Sequence, residues 1–168
     1  MPLFPAPLPA PQILQVPGVE NASVTTTVVA GSAFLYPVTL LTSVTVTQMR
    51  TWFSGSPTGQ VDMGIYDSTG TNGGPNNLLA HTGANAAAGG IFTKNLTANL
   101  SLSTGLYWLA FLDTVADTVD TRTIAVSGMG VLYKTSSTSL TVLPSTIGTI
   151  ASTSILIQMY ALISGGFS

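Results

Sequence analysis

The side chains able to do acid–base, nucleophilic or metal chemistry are few in this 168-residue chain: one histidine, no cysteine and six Asp or Glu. His81 follows Leu78-Leu79-Ala80, and no serine stands in a G-x-S-x-G turn, so a Ser-His-Asp hydrolase has no local signature here. A histidine without such company reads as a surface or turn residue rather than a general base. The absence of cysteine removes disulfides, thiolate catalysis and Cys-ligated zinc. A glycosidase pair of carboxylates would have to come from Asp62, Asp67, Asp113, Asp117 and Asp120. Asp62 falls on the polar side of an alternating run, and 113–120 reads as a polar loop. Solvated carboxylates are therefore expected, with nothing apolar nearby to split their pKa values.

Metal and cofactor signatures are equally thin. Asp67-Ser-Thr-Gly70-Thr-Asn72 is rich in oxygen, as calcium requires, but lacks the D-x-[DN]-x-[DN]-G spacing and a bidentate Glu. A turn held by Asx side chains is the expectation there. Calcium held by Asp113, Asp117 and Asp120 would need their loop to fold back on itself. Gly128-Met-Gly130 lacks the third glycine of a dinucleotide fingerprint, with Tyr133 in its place. Asn21, Asn95 and Asn99 head N-x-[ST] triplets, which chance supplies in a chain with 25 Thr and 17 Ser. No catalytic, cofactor-binding or metal-ligating residue is expected, and the chain reads as a non-enzyme without a cofactor. Among the aromatics able to form a sugar platform, Tyr107, Trp108 and Phe111 lie in a run apolar on both faces and read as core. Trp52, just before the Gly55-Ser-Pro-Thr-Gly59 turn, is the candidate glycan contact.

The elements that must position these residues divide into an arm and a body. Residues 1–19 form the arm, where Pro at 2, 5, 7, 9, 11 and 17 favours extended polyproline II and excludes a central strand. No sheet is expected in it. Its apolar Leu3, Phe4, Leu8, Ile13 and Leu14 are unlike a solvated linker, and docking on a neighbouring subunit is preferred over packing on its own body. The same prolines interrupt any signal-peptide core, so export by that route is not expected.

From residue 20 to 168 the period is two. Val61, Met63 and Ile65 alternate with Asp62, Gly64 and Tyr66, and Leu96, Ala98, Leu100 and Leu102 alternate with polar neighbours, both patterns predicting half-buried strands. Apolar positions in 42–53 shift phase after Val46, which predicts a β-bulge at Thr47–Gln48. Residues 105–112 (GLYWLAFL) belong in the centre of a sheet under a second layer. Ile155, Ile157, Met159, Ala161 and Ile163 share one face of a long last strand, a candidate subunit contact. Gly-, Pro- and Asn-rich turns separate these runs, and no helical stripe or repeat appears. The expected fold is all-β: an antiparallel β-sandwich of jelly-roll type with an extended Pro-rich N-terminal arm.

Charged residues make up only 6% of the chain, with four Lys or Arg and a net charge of −2, against about 25% in ordinary soluble proteins. Four scattered cations cannot release enough counterions to hold nucleic acid. No run approaches the roughly 20 apolar residues of a membrane helix, so neither nucleic acid nor membrane is an expected partner.

Residues 60–83, with Val-Asp-Met-Gly-Ile-Tyr-Asp-Ser-Thr-Gly, a Gly-Gly-Pro-Asn-Asn turn and Leu-Leu-Ala-His-Thr-Gly, together with Leu100-Ser-Leu-Ser-Thr-Gly105-Leu-Tyr-Trp-Leu-Ala110, resemble a pattern of bacteriophage virion β-sandwich domains. The resemblance covers about half of the body and implies a fold more than a task. It brings no catalytic residues. Such domains occur in fibres, receptor-binding tips and capsid decoration proteins. With one short arm and one domain, the chain suits a capsid decoration or cement protein of the assembled virion, grouped as trimers, its arm contacting the major capsid protein or another virion protein. The alternative is a tail- or head-fibre tip module that binds host-surface glycan through Trp52.

Overall fold

The computed structural model describes residues 12–15, 24–123, 132–153, 155–157 and 159–164. In chain order they form β1 (Gln12–Gln15), β2 (Val24–Thr27), β3 (Ala33–Leu40), β4 (Val44–Phe53), β5 (Gln60–Tyr66), β6 (Leu78–His81) and β7 (Asn85–Ala86). There follow β8 (Gly90–Leu102), β9 (Gly105–Asp113), β10 (Thr118–Thr123), β11 (Leu132–Thr135), β12 (Ile150–Thr153), β13 (Ile155–Ile157) and β14 (Met159–Ser164), with a 3-10 turn at Thr71–Gly73. The first sheet runs β1-β14-β4-β10-β13, with β8 also on β4 and β2 on β10; the second runs β12-β11-β3-β9-β5-β6, with β7 on β5. Every described strand pairing is antiparallel. The two sheets pack face to face as a β-sandwich, the fold class the period-two patterning predicts.

Alternation decides which side chains enter the space between the sheets. Val46, Met49 and Phe53 of β4, Phe92 and Leu96 of β8 and Ile157, Met159, Ala161 and Ile163 of the last strands meet Phe34 and Tyr36 of β3, Val61, Met63 and Ile65 of β5 and Leu109 and Phe111 of β9. Phe53 and Phe92 meet edge to face, centroids 5.7 Å apart at 89°, a favoured aromatic geometry. The phase shift in β4 is a bulge: its register against β8 jumps between Val46 and Gln48, and the register of β14 against β4 jumps at Leu162 and Ile163. Against β14 Thr47 is the extra residue, and it is what returns Met49 and Phe53 to the core face; against β8 the surplus lies on β8, where 96–99 stand against Thr47.

Gly105–Asp113 lies between β3 and β5 as expected for a doubly apolar run. Its second face needs a cover, and residues 136–149 supply it. This segment lies over the outer face of the second sheet as a strap. Leu143, Leu140 and Ile147 close a second apolar cluster over Ala33, Leu35, Tyr66, Trp108, Ala110 and Leu112. Phe111 and Trp108 therefore belong to different layers.

Three expectations are corrected. Asp62 and Tyr66, expected on a solvent face, are 1% and 0% exposed, because the strap covers that face. Residues 96–102 belong to β8 with Leu96 and Leu102 buried as expected, but Ala98 is exposed, because the register against β4 jumps from Asn95 opposite Gln48 to Leu100 opposite Val46. The arm does contribute to a sheet, since Gln12–Gln15 pairs with β14 of its own chain, Ile13 opposite Leu162 and Leu14 opposite Ala161. Polyproline geometry gives way there because Gln12–Gln15 is the proline-free stretch between Pro11 and Pro17, so each of its residues keeps an N–H for the ladder. Leu3, Phe4 and Leu8 lie outside the described residues.

Candidate functional site

Polar or chemistry-bearing groups come together at several places, and the first lies under the strap. Asp62 points out of the second sheet into the cover formed by residues 136–149. Its Oδ2 accepts from the Leu143 N–H at 3.0 Å and lies 2.8 Å from His81 Nδ1 on the neighbouring β6. The Thr82 hydroxyl is 3.3 Å from Oδ1 and itself accepts the Met63 N–H. Tyr66, two turns of the pleat further on, donates to the Pro144 carbonyl at 2.6 Å. Burial, reinforced by the Asp62 charge, pushes the Tyr66 hydroxyl far above the ordinary phenol range, so it remains a donor. The Gly31 carbonyl accepts the Leu140 N–H at 3.0 Å, and the strap's other end hydrogen-bonds to Asn76 and Leu78. These groups hold a loop whose backbone would otherwise be unsatisfied over an apolar sheet. His81 is thus no isolated turn residue. Its ring is 30% exposed and paired with a carboxylate that is fully buried. A carboxylate holding Nδ1 is a common way of orienting an imidazole.

The second place is the end of the sandwich where Asp113 and Asp117 meet the Thr58–Gly59 turn. Asp113 is 0% exposed. Its Oδ1 accepts the Val115 N–H at 3.2 Å, while its buried Oδ2 has no hydrogen-bond partner. Asp117 accepts the N–H groups of Thr58, at 3.0 Å, and Gly59, at 2.9 Å. Gly59 is required by close approach: a Cβ there would collide with Asp113 Oδ1 and lie 3.1 Å from Asp117 Oδ2. Burial pushes the Asp113 carboxyl up to about 7; the Val115 N–H opposes this, and the nearby Asp117 carboxylate adds to it. The expectation of solvated loop carboxylates fails here because 113 still belongs to β9, with its side chain on the inward face beside Phe111. The side chain of Asp120 lies outside the described set, and among the described residues no group of three or more His, Cys, Asp or Glu could hold a metal ion.

The Asp67 loop behaves as its composition predicts. Asp67 Oδ1 accepts the N–H groups of Asn77, at 3.0 Å, and Thr69, at 3.3 Å, and Oδ2 accepts from the Asn77 side chain. Burial pushes its carboxyl up, but these hydrogen bonds from Asn77 and Thr69 outweigh it and hold the carboxyl below the usual range. This is an Asx-stabilised turn. Beside it, grooves of about 470 and 500 Å³ flank the strap, lined by hydroxyls, glycines and Asn76 together with Leu140, Ile147 and Ile150, without a titratable group.

The third place is the outer face of the first sheet. Cross-strand partners on β4 and β8 put Trp52 opposite Ile91, Arg50 opposite Thr93 and Gln48 opposite Asn95. Arg50 Nε donates to Thr93 Oγ1 at 2.9 Å, and Gln48 Nε2 to Asn95 Oδ1 at 2.8 Å. Trp52 is half-buried and Ile91 is 59% exposed. One aromatic, one guanidinium and an amide pair thus form a strip with the polarity a sugar ring matches. The fourth place is the edge of the first sheet where Gln12–Gln15 pairs with β14.

No protein-family model matches the chain, and no curated protein matches its sequence. Sequence reasoning weighed His81 apart from Asp62 and missed that pair, and it grouped Asp113 and Asp117 only as solvated loop carboxylates or, with Asp120, as a calcium set. The Asp62–His81 pair spans 19 residues and depends on the β5–β6 register. The i, i+4 spacing of Asp113 and Asp117 at the end of an apolar strand was the only available signal for the second.

Proposed function

We propose that the chain is a structural protein of a virion, a capsid decoration protein whose N-terminal residues reach a neighbouring capsid subunit while the sandwich lies on the shell. The observation that carries this reading is the place of β1: Gln12–Gln15 stands at the edge of the first sheet, hydrogen-bonded to β14. Residues 1–11, with Leu3, Phe4 and Leu8, are thereby joined to the body at a sheet edge. Proline restricts their freedom before docking, which lowers the entropy lost on binding a groove. A stable contact needs about 1,000 Å² or more of buried surface, and an apolar arm together with the sandwich surface can provide it. Low charge fits a protein whose surface is shared with neighbours, in trimers around capsomer junctions.

Deleting residues 1–11, which spares β1, should abolish co-sedimentation with capsids assembled from the major capsid protein of the same genome. The body should keep its unfolding transition. Undiminished co-sedimentation of the folded truncated form would refute the arm's role. A second reading, a fibre-tip module for host-surface glycan, is favoured by the strip around Trp52. A glycan-array signal that Trp52→Ala removes would establish it, and an array without any signal would dismiss it.

A further inference from the structure

The end of the sandwich near Gly59 holds a group that neither reading above uses. Asp113 and Asp117 converge on Gly59, where an added Cβ would collide with Asp113 Oδ1 and lie 3.1 Å from Asp117 Oδ2, and two ionised carboxylates have no proton to donate to each other. One oxygen of the buried Asp113 is left without a partner, while Asp117 is already committed to the Thr58 and Gly59 N–H groups. Two ionised carboxylates at this separation, one of them fully buried, repel each other. A single proton on Asp113 removes the repulsion and creates a charge-assisted hydrogen bond to Asp117, the strong kind.

The other charges do not compete for this role. The 54–59 turn (Ser-Gly-Ser-Pro-Thr-Gly), residues 28–31 (Val-Val-Ala-Gly) and residues 114–116 (Thr-Val-Ala) carry no titratable side chain. On β5, Val61 faces Asp113 across the ladder. The next residue, Asp62, points to the opposite face of the sheet, toward His81 and Leu143. Among the described side chains, Asp117 is the charged neighbour of Asp113.

We propose that Asp113 and Asp117 share one proton and act as a pH-sensitive latch that fastens the 54–59 turn to the 113–118 connection. The latch lies where three segments converge. Gly31 N–H donates to the Asp113 carbonyl at 2.7 Å, Val28 N–H to the Asp117 carbonyl at 3.1 Å, and Ser54 N–H to the Thr118 carbonyl at 3.0 Å. Gln60 and Thr114 close the same seam, through the Gln60 N–H to Thr114 Oγ1 at 2.9 Å. Loss of the proton places a second negative charge inside this seam and loosens the turn that follows Trp52 and Phe53. The sign follows from burial pushing the Asp113 carboxyl up to about 7. The folded chain holds this proton between about pH 4, where an ordinary carboxyl titrates, and pH 7, whereas the unfolded chain does not. The contribution to stability is therefore complete below about pH 4 and is lost as pH rises through 7.

The test is thermal unfolding of the full chain from pH 4 to 9, wild type beside Asp113→Asn, with carbon-13 detection of the aspartate carboxyl groups in the wild type. The expected result is a fall of several degrees in wild-type Tm, relative to Asp113→Asn, between about pH 4 and pH 7 that levels off above 7, with one carboxyl titrating near pH 7. Parallel profiles for the two proteins, or all carboxyl groups titrating below pH 5, would overturn the latch. If Asp113→Asn does not fold, the carbon-13 titration decides alone. A final arm adds 1 mM calcium chloride at pH 8, a concentration set by the test. Recovery of the lost Tm in wild type would show that a cation and not a proton joins the pair, and would also overturn the proposal.

Discussion

Replacing Asp62 by alanine tests whether the strap over the second sheet is held by one buried carboxylate. The substitution removes the acceptor of the Leu143 N–H, the His81 ring and the Thr82 hydroxyl, and the three losses are unequal. His81 is 30% exposed and can turn to water. Thr82 has the Gly83 carbonyl as a second acceptor at 3.2 Å. The Leu143 N–H has no such exit, because Leu143 is 2% exposed beneath its own strap. An orphaned buried donor costs about 1–3 kcal/mol. Relief of the desolvated carboxylate and turning of His81 to water offset the other losses, so the expected loss is about 2 kcal/mol. For a domain of this size that corresponds to a Tm lower by roughly 4–8 °C. Urea unfolding of wild type and Asp62→Ala measures the loss, and amide exchange of Leu143 locates it. A loss below about 1 kcal/mol, or a Leu143 amide as protected as in wild type, would refute the tether. Asp62→Asn keeps one acceptor oxygen and should recover part of the difference.

Two further substitutions probe the frame around these groups. Tyr36 is buried between the sheets and its hydroxyl oxygen accepts the Ile157 N–H at 3.1 Å, so Tyr36→Phe should cost about 1–3 kcal/mol and expose the Ile157 amide to exchange. An unchanged urea midpoint would contradict that link between the last strands and the second sheet. Gly31 has φ +64° and a Cβ there would sit 2.5 Å from the Thr138 carbonyl oxygen. Gly31→Ala should therefore cost at least about 1–2 kcal/mol for the left-handed backbone alone and more for displacing the strap, and a urea midpoint within error of wild type would refute the close approach.

Much of the sandwich was legible because its side-chain period is local. The bulge at Thr47 could be read from a phase shift within ten residues, and the central place of Gly105–Asp113 from an apolar run that tolerates no wet face. The second face of β5 was misread for a reason equally physical. Alternation reports whether a position is polar, and a polar residue on a strand marks solvent only when no other segment covers it. Asp62 and Tyr66 are polar because each must hydrogen-bond a strap that arrives from about 80 residues later, at Leu143 and Pro144. Asp113 was misread in the opposite sense, since it was grouped with the loop that follows rather than with the strand it ends.

Residue types alone determined the short chemical inventory and the all-β sandwich. They do so because composition and a period of two act within a few residues of each other. Tertiary structure decided the rest: that β1 closes on β14, that residues 136–149 turn a half-exposed sheet into a buried one, and that Asp62 with His81 and Asp113 with Asp117 become pairs. A pair interaction falls off within a few ångströms, and only the register of strands distant in sequence sets which side chains come that close.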